Sequence, residues 1–299
     1  MVRAPACHAG GREFKSRHSR HSRHSRHSKT PRSWSAHVRG NSIILESLLE
    51  YFIQIISDVK VKDLVISAII LSISGLIQGY SGFGGGTVSI PILVILFGPI
   101  VAVGMITPIY IFGAAAILPN ALKSVDWREV IPLSMAGSIS VFIGLSFLLN
   151  TDPIAIKKIM GLFILLTTSV MMWGRTYNGP RNIFTRVLTG LATGGVTGGT
   201  GIPGAPIMVM YYLAAKVAPT VQRANILITG CVFSLCVIIG LAHNEIYSPT
   251  IILLILILSP IFMIATRVGQ YLFKIAPAEW FKKMAYFLLV IAGVTLLIF

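Results

Sequence analysis

The chain has 299 residues, of which 54% are hydrophobic and only 12% charged, and it carries a formal net charge of +15. Ordinary soluble domains hold about 25% charged residues, so a soluble fold is excluded and the composition is that of an all-α polytopic membrane protein. The charge does not point to nucleic acid: residues 1–40 hold 10 Lys/Arg and one acid, leaving 15 Lys/Arg and 9 acids for the rest, so most of the excess is confined to a tail.

That tail repeats Arg-His-Ser four times from Arg17 to Ser28 and has no apolar periodicity. A disordered basic segment is therefore predicted over 1–40. It reads equally as a transit-type leader or as sequence translated upstream of the true start. His18, His21, His24 and His27 alternate with arginines, whose charge opposes a bound cation, so no metal is expected there. From Ile43 to Asp58, Glu46, Glu50 and Gln54 form one stripe on an otherwise apolar helix. Each carboxylate would cost about 2.5–3.5 kcal/mol near a bilayer centre, and the run is too short to span. The prediction for 43–58 is an amphipathic helix lying at the interface.

Beyond it, apolar blocks follow one another. The predicted spans are Leu64–Phe97 (broken at Ser81–Gly86), Ile100–Leu122, Val130–Leu149 and Ile154–Trp173. After a basic connector at 174–182 come Ile183–Leu213 (broken at Thr197–Gly204), Pro219–Ala242, Pro249–Phe273 and Glu279–Phe299. These group into two transmembrane repeats, 64–173 and 183–299, of about four membrane segments each. Gly75–Val94, GLIQGYSGFGGGTVSIPILV, and Gly190–Val209, GLATGGVTGGTGIPGAPIMV, align without a gap at an offset of 115. Gly75/Gly190, Gly79/Gly194, Gly84/Gly199, Gly86/Gly201 and Pro91/Pro206 coincide. Glycine permits φ > 0 and close backbone approach, and proline suits a first helical turn. Each copy is therefore read as a broken helix or re-entrant hairpin opening its half. Lys/Arg counts leave the orientation nearly balanced and only the tail favours an N-terminus in the cytoplasm. Re-entrant hairpins would give each half an odd number of crossings and make the repeats inverted, which is the preferred reading.

No Asp or Glu falls in the middle of a predicted span; Asp126, Glu129, Asp152, Glu245 and Glu279 sit at ends or in loops. A cation path would normally place an acid within the membrane, so the expected cargo is a small anion. The groups available to hold it are backbone N–H at the second half-helices and nearby hydroxyls. The candidate binding residues are Ser81, Gly84, Gly85, Gly86, Thr87 and Ser89 at the first break and Thr197, Gly198, Gly199, Thr200 and Gly201 at the second. Arg223 and Asn225, near the start of the sixth span, are added because arginine holds an oxyanion bidentately. Arg267 is a weaker candidate, close enough to a helix end to snorkel. Gln78 and Tyr110 read as helix–helix hydrogen bonds. Gly75/Gly79, Gly190/Gly194 and Gly194/Gly198 are also GxxxG pairs that serve close packing without any ligand. Cys231 and Cys236 lie five apart and read as small apolar packing. No metal or cofactor is implied, and with His243 as the one histidine beyond the tail an enzyme is not expected.

At these residues the chain resembles the TauE/SafE family of membrane permeases, the sulfite exporter or organosulfonate permease family. The resemblance is carried by GYSGFGGGTVSIPIL and GGVTGGTGIPGAPIMVMYYL, with support from Val125-Asp126-Trp127-Arg128 and RVGQYLFKIAP, and runs from about Leu64 to Phe299. Pro203-Gly204-Ala205 departs from the glycine pair that commonly precedes the proline. The resemblance implies a two-repeat carrier of sulfite, thiosulfate, sulfoacetate or related anions in a cell membrane, in particular a bacterial inner membrane, working by alternating access. A permease for another anion or small solute on the same fold, or an accessory membrane subunit, are the alternatives. The partners implied are an anionic solute and membrane lipid, not nucleic acid; a homo-oligomer is left open.

Overall fold

The computed structural model describes residues 60–173, 179–202, 206–272 and 278–298. The basic tail at 1–40, the interfacial helix expected at 43–58, residues 174–178 of the connector and Pro203-Gly204-Ala205 lie outside the described residues. The helices in chain order are α1 (Val61–Ser81), α2 (Gly85–Phe97), α3 (Pro99–Ala115), α4 (Leu118–Leu122), α5 (Trp127–Asn150) and α6 (Pro153–Met172), then α7 (Ile183–Thr200), α8 (Pro206–Leu213), α9 (Pro219–His243), α10 (Pro249–Leu272) and α11 (Ala278–Ile298).

Local chemistry sets most boundaries. Asp63 in the first turn of α1 suits the helix dipole. Asp126 accepts the Arg128 N–H at 3.1 Å to cap α5. Asn182 and Thr185 form a reciprocal capping box at α7, with bonds of 2.9 and 3.1 Å. α3 and α9 open on Pro99 and Pro219, where the missing N–H costs nothing. α2 and α3 are joined by Gly98 alone, at φ 83 and ψ 164.

Three boundaries differ from the sequence reading. The span expected over Ile100–Leu122 is two helices, α3 and α4, parted at Ala116 and Ile117. Pro91 lies inside α2 rather than opening it. The second helix break starts at Gly201, because α7 continues through Thr197, Gly198, Gly199 and Thr200. α7 stops where Gly201 turns left-handed at φ 66, as α1 stops at Gly82, φ 82, ahead of Gly84 at φ 88; no such glycine stands at Ala116 and Ile117, where α3 gives way to α4.

α1, α5, α6, α9 and α10 are long and apolar enough to cross a bilayer. Large apolar side chains point outward along them, including Ile139, Ile143, Leu256 and Ile264. Such a surface is untenable in water but matches hydrocarbon, and the chain is a multi-pass membrane protein.

Two helix pairs pack most extensively, α5 with α7 and α1 with α10. Gly75 faces Phe262 and Ala265, and Gly79 faces the Thr266 carbonyl and the Gln270 amide, so α1 and α10 run in the same direction. Gly190 faces the Leu133 carbonyl, Gly194 faces Gly137, and Gly198 faces the Val141 carbonyl and the Leu145 amide, so α7 and α5 also run together. A Cβ at Gly79 or Gly198 would overlap the facing backbone. Close backbone approach of this kind holds membrane helices together through dispersion. Between the pairs, α3 and α9 run in opposite directions, Tyr110 resting on Gly230 and Gly104 near Leu241.

Candidate functional site

The first break is built from the end of α1 and the start of α2. The Gly82 N–H closes α1 on the Gln78 carbonyl at 2.7 Å, and the Val88 N–H bonds the Gly84 carbonyl at 3.0 Å. The amides of the first turn of α2, Gly85, Gly86 and Thr87, have no intrahelical acceptor by helix geometry. Ser81 spends its hydroxyl within the loop, donating to the Ile77 carbonyl at 2.7 Å and accepting from the Phe83 N–H at 3.3 Å. Ser89 donates to the Gly85 carbonyl at 2.8 Å. Thr87 is buried beside them.

Arg223, one turn into α9, comes to this break from the other half of the chain. Its Nη2 donates to the Gly79 carbonyl at 2.9 Å, and its side chain lies 3.1–3.3 Å from where a Cβ on Gly82 would stand. Here the missing side chain of Gly82 makes room for the arginine. A cavity of about 220 Å³ opens at this point, with Gly82, Asn120, Ser124, Thr220, Arg223 and Gln270 in its wall. Backbone, amide, hydroxyl and guanidinium groups thus share one half-open space at an end of the bundle, where Asn120 and Thr220 are exposed.

Asn225, also expected to bind, is buried on α9, and its side-chain carbonyl accepts the Asp126 N–H at 2.9 Å, tying α9 to the start of α5. Arg267 is exposed on the outer side of α10. Gln78 and Tyr110 are fully buried, yet neither the Gln78 amide atoms nor the Tyr110 hydroxyl has a hydrogen-bond partner among the described residues. The helix–helix hydrogen bonds expected of them are not made.

The second break is differently furnished. Gly201 closes α7 through its N–H to the Thr197 carbonyl at 2.7 Å, and the place of its Cβ lies 2.6 Å from the Val103 side chain on α3. Thr197 donates to the Ile202 carbonyl at 3.2 Å, and Thr200 donates to the Val196 carbonyl at 2.7 Å and accepts from the Ile202 N–H at 3.3 Å. Gly198 is committed to the α5 crossing, while a Cβ on Gly199 would stand 3.5 Å from the Gly144 carbonyl oxygen, an ordinary contact. A larger cavity of about 630 Å³ lies at this end of α3 and α9, lined by Ile100, Ser146, Asn150, His243 and Asn244 among others.

The two breaks do not face each other near the midplane of the bundle. Gly82 lies level with Arg223, while Gly201 touches Val103, whose neighbour Gly104 is level with Leu241. Arg223 and Leu241 are separated along α9 by roughly 27 Å at 1.5 Å per residue. The reason is length: α1 has 21 residues and α7 has 18, so each crosses most of the bundle before it breaks. Each break therefore sits near one end.

Sequence reasoning missed Asn120, Ser124, Thr220 and Gln270, which are far apart in the chain and ordinary in type. It also missed the cluster at Glu129, whose carboxylate pairs with Arg186 at 2.8 Å and Arg181 at 3.7 Å and accepts the Tyr211 hydroxyl at 2.8 Å. Arg181 additionally lies 4.4 Å over the Tyr211 ring. Arg181 just before α7 and Arg186 in its first turn were the available signal. The cluster ties the starts of α5 and α7 to the end of α8.

No curated protein and no solved structure matches the chain. The family model for the sulfite exporter TauE/SafE matches residues 67–296, so a multi-pass bundle with a glycine-bounded, arginine-bearing cavity belongs to the TauE/SafE family of membrane permeases.

Proposed function

We propose that this chain is a secondary transporter for a small oxyanion, sulfite, thiosulfate or an organosulfonate, and that the anion enters at the first break, beside Arg223. The observation that carries the reading is the cavity of about 220 Å³ where Arg223 meets Gly82 among Asn120, Ser124, Thr220 and Gln270. An ionisable group kept within a membrane bundle is costly and usually marks a solute path. A guanidinium is also matched to a sulfonate or sulfite group, which it can hold with two hydrogen bonds. Membership of a permease family supports the same class of function.

The mechanism we favour is alternating access between two inverted halves. Gly79 meets Thr266 and Gln270 on α10 much as Gly198 meets Val141 and Leu145 on α5, and α3 runs against α9, which supports two copies of one unit in opposite orientation. Backbone-tight glycine crossings make α1 with α10, and α5 with α7, move as rigid pairs. Rocking of one pair against the other about the α3–α9 contact then opens the two ends in turn. In this scheme residues 64–173 and 183–299 are the two repeats, and each rigid pair takes one helix from each of them.

Arg223→Gln tests the reading in proteoliposomes loaded with labelled sulfite. Flux should fall by about a hundredfold, corresponding to loss of one charge-assisted contact, while the amount of folded protein in the membrane is unchanged. Sulfite flux equal to that of the parent would remove Arg223 from the path and the anion reading with it.

A further inference from the structure

Gln78 stands out as a buried polar group that the bundle leaves without a use. Its side chain is 0% exposed and neither Nε2 nor Oε1 has a hydrogen-bond partner among the described residues. Native interiors satisfy nearly all such groups, and each exception asks for an explanation. The position supplies one. Gly85, the first residue of α2, has no Cβ, and the space a Cβ would take is filled by the Gln78 side chain, whose Oε1 and Cβ (2.8 Å) lie against that point, with Phe262 Cζ at 3.0 Å. The amide is thereby held against the first turn of α2, where backbone N–H groups lack acceptors. It also lies one turn before Gly82, which forms part of the wall of the arginine cavity. The charge facing this end of α1 is Arg223, bonded to the Gly79 carbonyl.

We infer that Gln78 is a cargo ligand, reached when the first turn of α2 loosens, and that it selects a monoprotonated oxyanion. The inference rests on the anion reading above and adds the protonation state of the cargo. A carboxamide offers a donor and an acceptor side by side, and both are unpartnered here. An ion with only acceptor oxygens satisfies the donor and leaves the acceptor stranded, at a cost. An oxyanion that keeps one O–H satisfies both. The remaining oxygens then face the free amides of α2 and the field of its N-terminus, which favours negative charge.

The test uses the full chain and two probes. Sulfite is measured on either side of its second ionisation, where the monoprotonated ion gives way to the dianion, and methanesulfonate, a monoanion without an O–H, serves as the reference. Ligand-dependent thermal stabilisation and flux are read for the parent and for Gln78→Met, which keeps the length of the side chain without its polar atoms. The parent should bind sulfite about tenfold or more tightly where the monoprotonated ion prevails. Gln78→Met should lose that pH preference and bind sulfite no better than methanesulfonate. A purely structural glutamine would behave differently: removing an unpartnered buried amide should leave the ligand-free melting temperature unchanged or raise it, with flux intact. An unchanged sulfite preference in Gln78→Met overturns the assignment, as does a parent that binds both probes equally at both pH values. Stabilisation of the parent by neither probe overturns the anion reading itself and the assignment with it.

Discussion

The two helix breaks solve one backbone problem with different chemistry. Both end a long helix on a left-handed glycine, Gly82 or Gly201, and both place that glycine against a residue on the fifth position of a proline-led helix from elsewhere in the chain. At Gly82 that residue is Arg223, in a largely apolar cavity that also carries Asn120, Ser124, Thr220 and Gln270; at Gly201 it is Val103, beside the fully buried Ile202, with Ser146, Asn150, His243 and Asn244 in the larger cavity at that end. Geometry is shared and charge is not. On the proposed anion reading the two ends would differ in how strongly each attracts the cargo, while the backbone that turns there is alike. A carrier built this way need not be symmetric in affinity even where its halves are related in form.

The sharpest way to break the comparison is to exchange the two side chains. Arg223→Val should lose about tenfold or more in anion affinity at the end of the bundle where the first break lies. Adding Val103→Arg should move the tighter affinity to the opposite face, read as the apparent KM from each side of oriented proteoliposomes. Equal affinity from both sides in the parent protein would end the argument from charge. A smaller effect separates the crossings from the breaks. Gly79→Ala and Gly198→Ala should each destabilise by about 1–3 kcal/mol, because the added methyl meets facing backbone that cannot swing away; a melting curve in detergent that moves for one and not the other would show that the two crossings are not equivalent. The finest distinction lies between the cap glycines. Both Gly82→Ala and Gly201→Ala carry a left-handed penalty of roughly 1–2 kcal/mol, but only the second also presses its methyl 2.6 Å from Val103. Gly201→Ala should melt lower than Gly82→Ala, and Val103→Ala should relieve part of the difference.

Much of the bundle was legible because hydropathy and punctuation act locally. Pro99, Pro219 and Pro249 mark helix starts, Gly82 and Gly201 mark ends, and the apolar runs between them are long enough to need no tertiary information. Packing register was not legible, for a physical reason. The gap-free alignment pairs Gly79 with Gly194, yet the glycine whose surroundings match those of Gly79 is Gly198. Gly190, Gly194 and Gly198 repeat every fourth residue, so sliding by one helical turn restores the same small-residue face, and only the facing helix reveals which glycine is used. The site divides similarly. Arg223 was visible as a lone cation near the start of a span. Asn120 and Gln270 are unremarkable in sequence and acquire meaning once α4 and α10 deliver them to one wall. The hydroxyls of Ser81, Thr197 and Thr200 looked available, but short polar side chains next to a helix end bond the nearest backbone first.

The single-residue joint at Gly98 has a mechanical consequence. With one residue between α2 and α3, there is no slack to absorb a shift of α2 along its axis. Loosening the first turn of α2 to admit a guest would tug directly on Pro99 and Val103, at the far end of the molecule. Lengthening that joint with inserted glycines should uncouple the two ends while leaving each able to bind.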